Sequence, residues 1–301
     1  MTRKIQLAYY HYINSLGGTY MRCLILMLVI GLTAGCSTVV NKALYQPTSK
    51  VYRTPDKDDL DYEDVAFASA DGTMLTGWFI PATYEPRGTV IHLHGNTRNM
   101  TSHYRYVGWI ADEGFNVFVF DYRGYGQSAG TPDRKGIYED CVAAVRYVQQ
   151  RDDVNPERVI VIGQSLGAAN AIAVLGREKF DGILGIVAEA PFASYEEIVT
   201  DDLATSSGSI SRAALGDAYS PAAVVDKLGV PLIVIHGTAD RVVPYKQGKR
   251  LFDKAKEPKQ IWTIKGGRHC DSMTVYKEKV RPRLLRIFRD WATADEKKSF
   301  R

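Results

Sequence analysis

Several things are missing from this 301-residue chain, and each absence removes a class of protein. No run of about 20 apolar residues occurs, so no bilayer-spanning helix is predicted. No block of Lys and Arg occurs either, and 38 basic residues stand against 34 acidic ones. That balance gives no electrostatic footprint for nucleic acid. Internal repeats and low-complexity tracts are absent, which removes solenoids and long disordered arms. Cysteine is scarce: four residues, Cys23, Cys36, Cys141 and Cys270, without metal-ligand spacing or the density of a disulfide framework. Cys141 falls among Ala143, Ala144 and Val148 on a helical face, the setting of a buried free thiol. His92 and His94 alternate along a strand with no third ligand at suitable spacing, so no metal site is expected and no cofactor is called for.

Asp and Glu are also absent from the first 35 residues, which hold Arg3, Lys4 and Arg22. Taking those three bases from 38 leaves 35 against 34 acids, so the rest of the chain is close to neutral. Arg22 precedes the apolar run Cys23–Leu32, and the small residues Thr33, Ala34 and Gly35 lead to Cys36. A basic flank, a short apolar core and small residues read as a signal peptide over residues 1–35. Met21-Arg22 would make a more compact start than Met1. Leu32-Thr33-Ala34-Gly35-Cys36 resembles the lipobox of bacterial lipoproteins, with Thr33 where Leu is more usual. That resemblance implies cleavage before Cys36, lipidation of Cys36 and a polar tether over residues 36–60. Several acyl chains together anchor stably where one is marginal. Ser37, rather than Asp, after the cysteine implies an outer-membrane location facing the periplasm. A plain signal peptide or an uncleaved anchor are the alternatives.

Eight strand-like runs follow: Tyr62–Ser69, Leu75–Ile80, Gly88–His94, Asn116–Asp121, Arg158–Gly163, Ile183–Glu189, Pro231–Gly237 and Gln260–Lys265. The first two alternate and are joined by Asp71-Gly72, a hairpin signal. From the third onward the runs are dense in Val, Ile, Leu and Phe, as strands covered on both faces require. Helical patterns fall at Ser102–Glu113, Lys135–Arg151, Leu166–Arg177, Tyr245–Lys256 and Met273–Asp290. An antiparallel start followed by β–α alternation predicts an α/β fold with a mostly parallel eight-stranded sheet and helices on both faces. In such sheets the ligand crevice lies at the carboxyl ends of the strands.

The chemistry-bearing residues fall at those ends. Gly163-Gln164-Ser165-Leu166-Gly167 lies between a strand and an Ala-rich helix. A sharp turn there lifts a serine hydroxyl above the sheet, and small residues two positions either side let the backbones approach. His269 follows the last strand behind Gly266-Gly267, and Asp240 follows the strand before it. The order Ser165, Asp240, His269 suits a nucleophile, an orienting acid and a general base. Glu189 is a rival acid and Asp121 a weaker one. The N–H groups of Leu166 and Asn96 are the candidate oxyanion donors. His94 is expected to be structural.

Taken together, His94-Gly95-Asn96, Asp121-Tyr122-Arg123-Gly124-Tyr125-Gly126, Gly163–Gly167, His236-Gly237-Thr238-Ala239-Asp240 with Val243-Pro244, and Gly267-Arg268-His269 resemble the α/β-hydrolase superfamily over residues 62–293. The chain looks similar to small stand-alone bacterial members labelled serine aminopeptidase-like or prolyl-oligopeptidase-like. The resemblance implies the fold, a Ser-His-Asp triad and acyl chemistry. It also implies that Arg123-Gly124-Tyr125-Gly126 is a structural corner rather than a catalytic one. No propeller precedes the matched residues, so oligopeptide gating of that kind is not expected. No His-Gly-Gly-Gly run follows the third strand, so the bulky-lipase oxyanion loop is not matched. Residues 191–230 could carry a small lid built on Tyr195, Ile198, Leu203, Ile210 and Leu215.

The expected organisation is a leader at 1–35, a lipidated tether at 36–60, a catalytic domain at 61–295 and a tail at 296–301. The expected activity is hydrolysis of a carboxylic ester with a short or medium acyl group. A peptidase, amidase or thioesterase is the alternative within the class. A non-catalytic envelope lipoprotein using the fold as a binding scaffold is the alternative outside it. The expected partners are a small acyl substrate or short peptide and a membrane, with no nucleic acid. Cys36→Ser is expected to release the protein from membranes; unchanged membrane fractionation would remove the lipid-anchor reading.

Overall fold

The computed structural model describes residues 41, 44–202 and 218–294. The proposed leader, Cys36 and the 296–301 tail lie outside the described residues. The central sheet has eight strands: β1 (Glu63–Ala68), β2 (Met74–Ile80), β3 (Thr89–Leu93), β4 (Asn116–Phe120), β5 (Val159–Gln164), β6 (Ile183–Glu189), β7 (Leu232–Gly237) and β8 (Lys259–Ile264). Their spatial order is β8-β7-β6-β5-β3-β4-β2-β1. The β1–β2 and β2–β4 pairs are antiparallel and every other pair is parallel. The chain therefore starts as a hairpin on one edge, crosses to β3 near the centre, and winds outward to β8. The crossover between β3 and β5 puts their carboxyl ends side by side, where ligand crevices form in open α/β sheets.

Among the described residues, five helices of eight or more residues flank the sheet: α1 (Arg134–Gln149), α2 (Leu166–Leu175), α3 (Tyr195–Asp202), α4 (Tyr245–Lys254) and α5 (Lys277–Ala294). Strand side chains alternate between two apolar layers. Ile91, Leu93 and Val161 pack with Val145 of α1, Ile172 of α2 and Leu251 of α4 on one face. Val90, Ile160 and Ile162 pack with Leu284 and Phe288 of α5 on the other. Both faces of the inner strands are covered, which is why β3, β4 and β5 are buried at every position.

Two segments depart from the sequence expectation. The stretch predicted as one helix over Ser102–Glu113 is a single α-turn at Met100–His103 followed by 3-10 turns at Tyr104–Tyr106 and Gly108–Glu113. Gly108 falls within the break, and a Cβ there would lie 3.3 Å from Leu60 Cδ1 and 3.4 Å from the Tyr104 ring. Residues 44–60, read as part of a loose tether, pack on the domain instead. Tyr45 and Leu60 are buried, and Gln46 and Pro47 pair in parallel with Thr97 and Arg98.

The Arg123 corner that follows β4 is a structural anchor. Arg123 donates from Nη2 to Asp140 Oδ1 at 2.8 Å and from Nη1 to Asp71 Oδ2 at 2.9 Å. Its backbone N–H also donates to Asp140 Oδ2 at 2.8 Å. One guanidinium thus joins the β4 exit to α1 and to the β1–β2 hairpin. Asp140 is fully buried, so the pair exists in a setting where removing one partner strands the other. Asp140→Ala is expected to lower the unfolding free energy by about 3–5 kcal/mol in urea titration. A loss within about 0.5 kcal/mol, the size of an ordinary surface change, would contradict the anchor role.

Candidate active site

Ser165 begins the site. It joins β5 to α2 with φ 52° and ψ −112°, a left-handed backbone that a serine adopts only under constraint. Such a conformation costs of order 1–3 kcal/mol, and the surroundings hold it. The Ser165 N–H donates to the Glu189 carbonyl at 2.8 Å, and the Ser165 carbonyl accepts from Ala169 N–H at 3.0 Å. Gly163 and Gly167 allow the turn by having no side chain. A Cβ on Gly163 would lie 2.4 Å from the Gly167 carbonyl oxygen, and one on Gly167 would lie 1.9 Å from the Leu93 carbonyl oxygen. Leu166 opens α2, so its N–H has no intrahelical acceptor.

His269 lies in the loop after β8. Its Nδ1 is 2.8 Å from Asp240 Oδ2. Asp240 follows β7 and is held from three other directions. Its Oδ1 accepts the N–H groups of Val242 and Val243, each at 2.9 Å. His236 Nε2 donates to the Val243 carbonyl at 2.9 Å and lies 3.4 Å from Asp240 Oδ2. Burial alone would raise the Asp240 pKa. The hydrogen bonds from His236 and His269, with the Val243 N–H, outweigh it and hold the carboxyl well below the usual range. Asp240 is therefore an ionised acceptor at neutral pH, suited to keep the proton on His269 Nδ1 and leave Nε2 as the base.

The two rival acids are engaged elsewhere. Glu189 Oε2 accepts from Gln164 Nε2 at 2.7 Å, and its Oε1 accepts the Ser272 N–H at 2.8 Å. Gln164 in turn accepts from His92 Nε2 at 3.1 Å. Asp121 accepts the Met100 N–H at 2.7 Å and faces His94 Nε2 at 3.3 Å. Neither bonds His269. Glu189 instead ties the elbow, through Gln164, to the loop that carries His269, through Ser272.

His94 has the structural role its position implies. Its Nδ1 donates to the Gly95 carbonyl at 2.7 Å. Gly95 O and Asn96 N–H belong to one trans peptide unit and point in opposite directions. Holding that carbonyl therefore sets the direction of the Asn96 N–H, which has no acceptor among the described residues. The loop lies beside the elbow, since a Cβ on Gly95 would sit 4.0 Å from Ser165 Cβ. The structure thus brings Ser165, Leu166 and the Gly95-Asn96 peptide together, and joins Asp240 to His269.

Cys270, next to His269, was not assigned a role by sequence. Desolvation first, and then Glu189, Asp240 and Asp271, push this thiol well above its ordinary pKa. A neutral thiol is a poor nucleophile. Cys141 is buried and free, as expected. No metal-holding group of His, Cys, Asp and Glu occurs among the described residues. Of the residues considered for a lid, Tyr195 is buried, receives a hydrogen bond from Asn170 Nδ2 at 3.3 Å and lies under Arg134 at 4.5 Å. Ile198 packs against the core, and Leu203, Ile210 and Leu215 lie outside the described residues.

A model of the prolyl oligopeptidase family matches residues 101–295. The chain belongs to the prolyl oligopeptidase family. It is a hydrolase of the α/β-hydrolase superfamily. Within that setting it is similar to YfhR of Escherichia coli K12, an uncharacterized protein 36% identical over 268 residues, covering 85% of this chain and 92% of that one. Human alpha/beta hydrolase domain-containing protein 17B is 26% identical over 223 residues, 73% of each chain. Among solved structures, the Pyrococcus furiosus esterase Pf2001 superposes with a TM-score of 0.69 at 25% identity, covering 82% of this chain and 99% of that one. The family match begins beyond Asn96, so the loop at His94–Asn96 lies outside it.

Sequence reading passed over His236, Gln164 and Ser272. His236 stood four residues before Asp240, a spacing that could have flagged it. Gln164 and Ser272 gave no local signal, because their partners are 72 and 83 residues away in sequence.

The depressed Asp240 pKa has a signed consequence for stability. In the unfolded chain the group titrates near its reference value of about 3.9. Its ionic contacts stabilise the fold above that pH, and the contribution is lost as pH falls toward the lower folded value. Unfolding midpoints in urea at pH 6 and pH 3 are expected to fall less steeply for Asp240→Asn than for the parent protein. Equal slopes would show that the carboxylate is not held in its charged form.

Proposed function

We propose that this hydrolase cleaves carboxylic esters with short or medium acyl groups through an acyl-enzyme on Ser165. The observation that carries the reading is the Asp240–His269 pair, at 2.8 Å, in the same domain as the strained Ser165 turn after β5. His269 Nε2 takes the proton of Ser165 Oγ as the oxygen attacks the substrate carbonyl. Asp240 keeps Nδ1 protonated and stabilises the imidazolium. Charge developing on the carbonyl oxygen is met by the N–H groups of Leu166 and Asn96. His269 then returns the proton to the leaving alcohol. In the second half it activates water, and hydrolysis frees the acid and Ser165. Every proton moved belongs to the serine, the imidazole or water.

The choice of an ester draws support from the likeness to an esterase of the same fold over nearly its whole length. Location belongs to the same reading and is supported by the lipobox-like run ending at Cys36. No helix among the described residues is long and apolar enough to cross a membrane.

Ser165→Ala is expected to lower kcat on p-nitrophenyl acetate and butyrate by at least about 10⁴-fold. In the parent protein, kcat/KM is expected to be higher on those esters than on the hexadecanoate. Retained turnover in Ser165→Ala removes the nucleophile assignment. A preference for hexadecanoate removes the acyl-length assignment alone.

A further inference from the structure

The segment Leu44–Thr48 lies against the one loop whose geometry the oxyanion site depends on. Asn96 has three backbone or side-chain groups that can be tied down, and this segment holds two of them. The Asn96 carbonyl accepts from Gln46 N–H at 3.0 Å, and Asn96 Nδ2 donates to the Leu44 carbonyl at 3.1 Å. The Asn96 carbonyl also accepts from Tyr125 Oη at 2.8 Å. On either side, Gln46 and Pro47 pair with Thr97 and Arg98, and Thr48 N–H donates to the Arg98 carbonyl at 3.1 Å. The segment is itself fixed. Tyr45 is 3% exposed, and the Thr48 carbonyl accepts from Gly126 N–H at 3.1 Å and Asn99 Nδ2 at 2.8 Å.

Other contacts on this loop include the Tyr125 hydroxyl on the Asn96 carbonyl and His103 Nε2, 3.0 Å from the Thr97 carbonyl. His94 orients the Gly95 carbonyl, and the Tyr122 hydroxyl holds the His94 carbonyl at 2.9 Å. Downstream, Arg98 sits at φ 65°, so the chain leaves the loop through a left-handed residue that does not constrain Asn96 by regular pairing. The strap fills that role. It lies far upstream of the matched family segment, which starts at residue 101.

We infer that Leu44–Thr48 is a positioning element for the Asn96 N–H, so that the segment leading into the domain forms part of the oxyanion site. Gln46 and Leu44 touch no reacting atom; they act through Asn96. This rests on the ester-hydrolysis reading above. An oxyanion donor works only when it is aimed at the developing charge, and losing one costs about 10²–10³ in kcat. Loosening one, rather than deleting it, should cost less and should leave ground-state binding intact.

Two variants cut the ties separately. Gln46→Pro removes the N–H given to the Asn96 carbonyl, and Asn96→Ala removes the amide given to the Leu44 carbonyl while keeping the Asn96 N–H. Gln46→Ala keeps every backbone bond and serves as the rescue. Turnover of p-nitrophenyl butyrate is measured on the full chain, and kcat is divided by the fraction of sites titrated to completion by an organophosphate. That division removes any loss through misfolding. The expected result is a fall of about 10-fold or more in kcat per titrated site for Gln46→Pro and Asn96→Ala. KM should stay within about two-fold, and Gln46→Ala should match the parent. Since Asn96→Ala alters only a half-buried side chain, it stands in if Gln46→Pro does not fold. Parent-like kcat per site in Asn96→Ala or a folded Gln46→Pro overturns the positioning role alone. A rise in KM with unchanged kcat also overturns it. Absence of Ser165-dependent turnover in the parent overturns the hydrolytic reading and the positioning role together.

Discussion

The turn at Ser165 is the constraint on which the rest of the site depends. A serine at φ 52° is held against its own backbone preference, and the two glycines flanking it are there because neighbouring carbonyls leave no room for a Cβ. The strain is sustained by β6, whose Glu189 carbonyl takes the Ser165 N–H. Ser165 therefore owes its orientation to sheet pairing between β5 and β6 and to the start of α2. The same start gives Leu166 an N–H without a helical partner. The strain at Ser165 and an N–H at Leu166 without a helical acceptor arise from one local geometry.

A buried polar chain then joins that turn to the other parts. His92 on β3, Gln164 on β5, Glu189 on β6 and Ser272 beyond β8 are linked in sequence by hydrogen bonds of 3.1, 2.7 and 2.8 Å. Glu189 is 1% exposed, so each of these bonds forms away from water, where an unmet partner is costly. Four elements that share no local sequence are fixed relative to one another, and the His269 loop is one of them. Burial, followed by the nearby His103 and His94, keeps His92 well below its ordinary pKa and hence a neutral donor in this chain. Asp240 is set apart from it by its own contacts with His236, Val242 and Val243. The site therefore separates a buried hydrogen-bonded chain, which ties four elements together, from the Asp240–His269 pair, which is suited to move a proton.

Much of this was readable in the sequence because it is local. Dense apolar runs gave the inner strands, since both faces of β3, β4 and β5 are covered. Gly-Gln-Ser-Leu-Gly gave the elbow, since the clash that demands glycine acts within the turn itself. The helices α1, α2 and α4 were placed to within a few residues. The failures are long-range. The 102–113 pattern read as one helix because its apolar spacing suits a helix, whereas the segment forms one α-turn and two 3-10 turns, with Gly108 at the second of them. Residues 44–60 read as polar tether because Tyr45 and Leu60 are isolated apolar positions; only the fold shows that they are covered. Asp240 was read as the acid with Glu189 as its main rival, and spacing alone did not remove the rival. The choice between them depends on where the 269 loop settles, and Ser272 on Glu189 is what settles it.

Direct trapping of the nucleophile tests the central claim most simply. The intact protein is treated with a fluorophosphonate, digested, and the modified peptide is mapped by mass spectrometry, with His269→Ala alongside. One adduct on Ser165 is expected, formed far more slowly in His269→Ala. A folded protein that takes no adduct, or takes it on another residue, would contradict Ser165 as the reactive group.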